Sequence, residues 1–482
     1  MTVETQVSNL EENCSARYCF LYKRLFSKVL ISKAKIQMFE RILLIYPHKV
    51  RPGEKIRPPY LGLEYLAANV EDIVNEIKIV DMQFSNKVIT TIEKFQPDLI
   101  GISWLFTSRI NEIEEILNLT SKHDIYTVVG GMVPTICPDY VLSDNRIDAI
   151  IRGEGEETFR QFVKEGKPDK ISGISFHDEE GNIIHNLDRP FIKNLDSLPY
   201  PARHLREKKY KYKLFFWNVA VDSLLTSRGC PFQCDFCCPT KFYRNTWRSR
   251  SPENIVNEIR KIPAKLIFIW DDNFTADMER VEEICNLLIK EGISKFYAIQ
   301  ARADAFSNNP QIVSKMSKAG FVGVLLGIES PSNAQLEKWH KRQEIKDVKE
   351  AMKILHKHKI AVSSSFMVGD LNETEEDITK IYRFAKEIDV DFLNIYPFTP
   401  FPGTDKHEEL KSKGLLTTTD WQRFFYTHVI RTPITPERFE LLRTSYVKQY
   451  NSPIHGIKRL WFFRSKLIEM LKVLLKDKII PT

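Results

Sequence analysis

Short apolar runs of three to six residues recur along this chain in two separate series, with segments of helical periodicity between them. A run such as Ile42–Tyr46 has no polar alternation, so a strand formed there is buried on both faces and needs helices on both sides. The first series comprises Ile42–Tyr46, Ile77–Val80, Leu99–Ser103, Thr127–Val129 and Ala149–Ile151, with helices expected over 61–70, 88–95 and 110–119. This predicts an α/β unit with an open, doubly wound parallel sheet, whose ligands bind beyond the carboxyl ends of the strands. The second series comprises Asp222–Leu225, Leu266–Trp270, Phe296–Ala301, Val324–Ile328, Val362–Met367 and Phe392–Tyr396. Six strands with helices between them suggest a partial (β/α)6 barrel. Residues 160–216 are polar and turn-rich, with Asp178–Asn182 resembling a hairpin turn. The expected division is a basic extension (1–38), a sheet domain (39–158), a connector (159–216), a barrel (217–405) and a helical region (406–482).

A length of 482 residues suits about three domains, and 43% hydrophobic residues supply ordinary cores. No stretch of 18 uncharged apolar residues occurs, so no transmembrane helix is expected, and the expected location is cytoplasmic. The net charge of +7 is unevenly placed: residues 15–41 carry +6 and residues 451–482 carry +5, leaving the remainder at −4. Charge held at the ends and away from the strand series argues against a nucleic-acid enzyme.

Eight cysteines are too few for a disulfide framework, and four of them, Cys230, Cys234, Cys237 and Cys238, fall within nine residues directly after an apolar run. Such clustering reads as metal binding in a reducing compartment. Cys230, Cys234 and Cys237 have the spacing C-x3-C-x2-C. Three thiolates on one tight loop can hold three irons of a cubane cluster and leave the fourth open to a small molecule. Zinc would want a fourth Cys or His at matching spacing. Cys238 is adjacent to Cys237, and neighbouring side chains point apart, so it is read as lying behind the ligand set.

This triad at the end of the first strand of a six-fold β/α barrel resembles the signature of radical S-adenosylmethionine (SAM) enzymes, over roughly residues 220–405. The resemblance implies a 4Fe–4S cluster, SAM bound at its open iron, and an electron donor of flavodoxin or ferredoxin type. It implies that one electron cleaves SAM to methionine and a 5′-deoxyadenosyl radical, which takes a hydrogen from the substrate. Other positions match in order. Asp271 and Asp272 follow the second strand, where the family contacts the SAM amino group. Gln300 and Arg302 end the third, with Arg302 a candidate for the SAM carboxylate. Glu329 and Ser330 end the fourth, and Gly369 begins the segment expected to cradle adenine.

In the first series, Ser103-Trp104-Leu105 and Gly130-Gly131 resemble two of the three marks of cobalamin-binding domains of Rossmann-like form. Small residues there let backbone approach a large flat ring. The third mark, a histidine motif after the first strand, is missing, although His48 stands in that loop. Domain order, including Gly153-Glu154-Gly155-Glu156 and Leu198–Arg203, is similar to cobalamin-binding radical SAM enzymes across residues 40–450. Those relatives include lipid and hopanoid methylases, the anaerobic porphyrin-ester cyclase and archaeal membrane-lipid ring synthases. Leu460, Phe463, Leu467, Leu471 and Leu474 recur at helical spacing with Arg464, Lys466, Lys472 and Lys476 elsewhere on the helix, and Tyr18 to Ile36 mixes aromatics, leucines and lysines. Both ends suit an anionic membrane surface. Trp421, Phe424, Phe425 and Tyr426 are candidates to line an apolar channel. The expected activity is therefore C–C bond formation, by methylation or cyclisation, on an unactivated carbon of an apolar, membrane-lipid type substrate. The alternatives are a cobalamin-dependent methyltransferase acting on a soluble peptide or secondary metabolite, and a non-catalytic corrinoid or cluster sensor.

Overall fold

The structure, a computed structural model, describes residues 39–479 apart from 52, 53, 55, 86, 124, 209, 215 and 216. The basic stretch Tyr18–Ile36, with Cys14 and Cys19, lies outside the described residues. Strands β1 (Arg41–Tyr46), β2 (Glu76–Asp81), β3 (Leu99–Ser103), β4 (Tyr126–Gly130) and β5 (Ala149–Ile151) pair in parallel in the order β2-β1-β3-β4-β5. The lack of alternation in β1 has the expected consequence. Ile42 and Leu44 enter a core on one face of the sheet, and Leu43 and Ile45 enter a second core on the other. The order reverses between β1 and β3, which opens a crevice beyond their carboxyl ends.

The segment expected as a connector does more than connect. Its first part completes the helix Glu156–Glu165 and then adds β6 (Ile174–His177), antiparallel to β5, and β7 (Ile183–His185), antiparallel to β6 and at the edge of the sheet. Both strands are short and partly polar, so only the turn between them stood out in the sequence.

The second sheet runs β16-β15-β14-β13-β12-β9-β8. Here β8 is Lys211–Leu214, β9 Trp217–Leu224, β12 Leu266–Ile269, β13 Phe296–Ala301, β14 Phe321–Glu329, β15 Ala361–Val368 and β16 Ile395–Pro397. The six strands from β9 to β16 are parallel and successive, which is the expected partial barrel, and β8 adds an antiparallel edge. In β15, Val362, Ser364, Phe366 and Val368 are buried, while Ser363, Ser365 and Met367 on the alternate face are only half-buried. In β14 the half-buried positions include Gly323, Leu325 and Gly327. Period-two alternation thus packs one face against helices and leaves a concave face lined by small and polar residues. A two-stranded ribbon, β10 (Ser227–Gly229) with β11 (Trp247–Ser249), brackets the cysteine loop.

The loops after β1 and β3 touch the loops after β12 and β16. Tyr60 stacks on Trp270 at 6.1 Å, and Thr107 donates its hydroxyl to the Phe424 carbonyl at 2.9 Å. The carboxyl ends of the two sheets therefore face each other. Buried ion pairs fasten one side of this junction: Arg228 holds Glu154 (3.0 Å) and Glu156 (2.5 Å), and Arg248 holds Glu154 (2.9 Å). The Gly-Glu-Gly-Glu connector thus anchors the strand that leads into the cysteine loop. Among the described residues no helix is long and apolar enough to cross a membrane.

Candidate active site between the two sheets

Cys230, Cys234 and Cys237 lie on the loop leaving β10, and the Cys237 N–H donates to the Cys234 carbonyl at 3.0 Å. Burial pushes all three thiols up, Cys237 to about 12. Thiols in such surroundings ionise on binding a metal centre, which stabilises the thiolate directly. Among the described residues no group of three or more His, Cys, Asp or Glu could hold a single metal ion. A cluster takes each thiolate on a different iron and needs no such convergence. The residues present fit a three-ligand cluster.

The two aspartates after β12 divide their roles. Asp271 is fully buried, and its carboxylate accepts from the Thr226 N–H (2.7 Å) and from the hydroxyls of Thr226 and Ser227, with Arg280 at 3.7 Å. It is a strut between β12 and the root of the cysteine loop, which corrects the expectation of a SAM contact. Asp272 accepts the Gly229 N–H at 3.2 Å, one residue from Cys230. Burial and the adjacent Asp271 charge push its carboxyl up to about 7. An ammonium group beside it would keep it ionised.

Arg302 also departs from expectation. It donates to Asp304 (3.0 Å) and to the carbonyls of Lys341 (2.8 Å) and Arg342 (2.7 Å), and its guanidinium covers the Phe232 ring at 3.7 Å. Those bonds commit it to tying the 339–343 loop to the cysteine loop. A second cation beside the triad is Lys341, whose Nζ pairs with Glu329 at 3.1 Å and whose charge acts on Cys230 and Cys234. Glu329 sits at a bulge in the β14–β15 pairing with φ of 66°, the left-handed region, so the bulge turns its side chain toward Lys341. A Cβ on Gly327 would stand 2.6 Å from the Glu329 carboxylate and 2.9 Å from Lys341 Nζ, so a larger residue there would make the ends of this pair shift. Ser330 is buried and accepts the Ser332 N–H within the turn. Gly369 gives its N–H to Glu373 at 2.8 Å, and Gln300 lies on the concave face.

On the facing sheet, Ser103 ends β3 half-buried, and its hydroxyl has no partner among the described residues. Gly130 ends β4, and Gly131 has φ of +112°. A Cβ on Gly131 would meet the Trp104 carbonyl oxygen at 2.9 Å and Leu105 at 3.3 Å. These residues form a shallow, side-chain-poor shelf at the switch point of the sheet, which fits a large flat ring. His48 does not extend that fit. It is 5% exposed, its Nε2 accepts from Arg109 at 3.1 Å, and burial and Arg109 lower it to about 3. It is a neutral buried residue already engaged at Nε2, neither solvated nor presented as a free cobalt ligand.

Aromatic side chains from both sheets gather at the opening. Phe106 meets Phe425 at 4.9 Å, Tyr396 stacks on Tyr426 at 4.5 Å, and Trp270 stacks on Tyr60. Of the four residues expected to line a channel, Phe425 and Tyr426 join this bowl. Phe424 is core, and Trp421 stacks on Tyr140 at 3.7 Å. The other members of the bowl, Tyr60, Phe106, Trp270 and Tyr396, were not foreseen, because no local spacing marks residues that meet across a domain junction; nor were Lys341 and Gly327, which meet Glu329 through a bulge within the barrel.

A parallel half-barrel carrying a cysteine triad and facing a doubly wound sheet with a glycine shelf defines a class: radical SAM enzymes with a cobalamin-binding domain. The Radical SAM superfamily model matches residues 224–385, and the B12 binding domain model matches residues 57–163. An uncharacterized methyltransferase of Pyrococcus horikoshii is 30% identical over 86% of this chain and 93% of its own length. The anaerobic magnesium-protoporphyrin IX monomethyl ester cyclase of Rubrivivax gelatinosus is 28% identical (83% and 75% covered), and the hopanoid C-3 methylase of Methylococcus capsulatus is 27% identical (80% and 76%). The solved structure of the radical SAM methyltransferase TsrM from Kitasatospora setae, with cobalamin and a 4Fe–4S cluster bound, shares the fold at a TM-score of 0.65. It has 17% identity, with 79% of this chain and 80% of that chain covered. The chain belongs to the cobalamin-binding radical SAM family, and its cofactors are a 4Fe–4S cluster, SAM and cobalamin.

Gly131→Val is expected to abolish cobalamin binding while leaving the iron content of the reconstituted protein unchanged. The substitution forces an L side chain into the left-handed region and against the Trp104 carbonyl. Cobalamin absorbance after gel filtration checks it.

Proposed function

We propose that this radical SAM enzyme removes a hydrogen from an unactivated carbon of an apolar, membrane-lipid (isoprenoid) substrate and joins that carbon to another, by methylation or by ring closure. The observation that carries the reading is the aromatic bowl of Tyr60, Phe106, Trp270, Tyr396, Phe425 and Tyr426 above the cysteine loop. Such walls bind hydrocarbon and exclude water, which a carbon-centred reaction requires. When bound, the cluster supplies the electron that splits SAM, and cobalamin supplies a carrier for a methyl group. In this reading Cys230, Cys234 and Cys237 hold the cluster, Asp272 meets the SAM amino group, and Ser103, Leu105, Gly130 and Gly131 support the corrin. Relatives named for a hopanoid and a porphyrin ester favour an apolar substrate.

The carboxy-terminal helices support a membrane surface, on a different face from the one periodicity suggested. Phe463 is buried, Leu467, Leu471 and Leu474 are half-buried, and Lys466 is buried against the Ser317 carbonyl at 2.9 Å. Lys476 and Lys478 have no described side chains. The exposed apolar residues are Ile454, Ile457, Leu460, Trp461 and Ile468, flanked by exposed Lys458, Arg464 and Lys472. An apolar stripe edged with lysine and arginine suits the interface of an anionic bilayer.

Lipid mass spectrometry of cells with and without the gene tests the reading. A gene-dependent gain of one methylene indicates methylation, and a loss of two hydrogens indicates ring formation. An unchanged lipid profile, together with turnover of a soluble peptide or metabolite, would set the lipid reading aside. Ile457→Glu with Trp461→Glu is expected to reduce sedimentation with phosphatidylglycerol vesicles without lowering 5′-deoxyadenosine formation.

A further inference from the structure

We propose that Arg57 receives an anionic end of the substrate, so that the molecule taken by this enzyme is an acid, a carboxylate or a phosphate ester, with an apolar body. The inference rests on the apolar-substrate reading and adds a charged group at a defined place. Arg57 is half-buried on the loop between β1 and the helix Gly62–Val70. Its guanidinium donates to the Tyr60 hydroxyl at 2.9 Å and lies 5.5 Å from the Phe106 ring and 5.9 Å from the Phe425 ring. Among the described residues no carboxylate pairs with it. Nearby cations are paired: Arg51 with Glu112 at 3.2 Å, and Arg109 with Glu112 at 2.9 Å and Glu54 at 3.2 Å. Among the described cations of this loop, Arg57 alone has no carboxylate at ion-pair distance: it meets aromatic faces and a neutral hydroxyl, with Glu54 acting on it only through space.

A cation drawn partly out of water among aromatic rings is compensated incompletely by those rings and gains from an anion. Its planar fork suits a carboxylate or phosphate, which it can grip with two parallel N–H donors. The placement is informative. Tyr60 stacks on Trp270, the residue before Asp271-Asp272, and Asp272 bonds Gly229 beside Cys230. Arg57 thus stands among aromatic rings that reach, through Trp270 and its neighbour Asp272, the base of the cysteine loop. Beside the triad, Lys341 is already neutralised by Glu329. A substrate anchored by its anion at Arg57 extends its apolar body across the aromatic walls toward the triad.

The test uses the anaerobically reconstituted full-length protein and three probes with one apolar body: geranylgeraniol, geranylgeranoic acid and geranylgeranyl phosphate. Binding is read by quenching of tryptophan fluorescence, Trp270 being in the bowl, and by calorimetry. Both acids, or the one whose geometry matches, should bind at least about tenfold more tightly than the alcohol. Arg57→Met should reduce the acids to the level of the alcohol while leaving alcohol and cobalamin binding unchanged, and Arg57→Lys should recover part of the difference. Equal binding of acids and alcohol by the wild type, or an acid advantage that survives Arg57→Met, overturns the assignment and leaves the apolar-substrate reading standing. Loss of cobalamin instead of acid discrimination would also overturn it, by assigning Arg57 to the corrinoid. Failure of all three probes to bind removes both readings together.

Discussion

Cys234→Ala is expected to reduce cluster iron to background and SAM cleavage to below detection, whereas Cys238→Ala leaves both in place. Cys234 is the middle ligand of the triad and its most buried member. A cluster held by two thiolates loses a third of its protein ligands and gains a second open iron exposed to solvent. Cys238, by contrast, opens the short helix Cys238–Phe242, while Cys237 before it is still extended, with φ −90° and ψ 115°. Consecutive residues across such a junction send their side chains different ways. Iron analysis, the spectrum of the reduced cluster and 5′-deoxyadenosine measured on both variants decide the matter. Retained cleavage in Cys234→Ala would undo the assignment of the triad.

Arg228→Met should cost about 3–5 kcal/mol of stability, the range for removing one partner from a buried pair. Arg228 is 8% exposed and stacks 5.5 Å from the Tyr65 ring while holding two carboxylates. Removing it leaves Glu154 with Arg248, which burial would otherwise oppose, and leaves Glu156 with no cation. Methionine keeps the apolar volume, so the loss reports charge and not a cavity. A fall in Tm of about 3–5 °C follows from ~2.1 cal/mol/K per residue over a chain of this length. Glu156→Gln in the Arg228→Met background should recover part of it, since the stranded charge is then gone. Differential scanning calorimetry on the single and double variants checks both values.

The parts of the architecture that could be read from the sequence are those that strand burial writes into it. Ile42–Tyr46 is apolar at every position because helices cover both faces, and the same run predicts sheet and topology class together. β6 and β7 lacked that signature: each is only three or four residues long and carries polar residues, and β7 at the sheet edge has one partner and one wet side. At the site, the cysteine spacing was legible because one loop carries all three ligands. Asp271, Asp272, Arg302 and Glu329 drew notice because strand ends of a β/α barrel converge on its centre. The hydrogen bonds that already engage Asp271 and Arg302 show the limit of that rule: a strand end identifies a pair of residues, while the direction of each side chain depends on what it meets. Lys341 acquires its setting from a bulge and a loop within the barrel, and Arg57 acquires part of its own from Phe425 across the junction of the two domains, neither of which a local spacing marks.

The fastening between the two sheets is lopsided. Along the edge formed by Glu154, Glu156, Arg228 and Arg248, and by Glu64, Arg206 and Asp222 beside them, prising the halves apart would strip paired charges of their partners before water could reach them. Along the opposite edge the contacts include the Thr107–Phe424 and Cys137–Pro402 hydrogen bonds and aromatic faces, with no buried ion pair among the described residues named there. Parting there re-wets surface in small increments. The molecule is built like a book with its spine on the charged side, and a bulky guest pays least to enter by the fore-edge, past Phe425 and Tyr426.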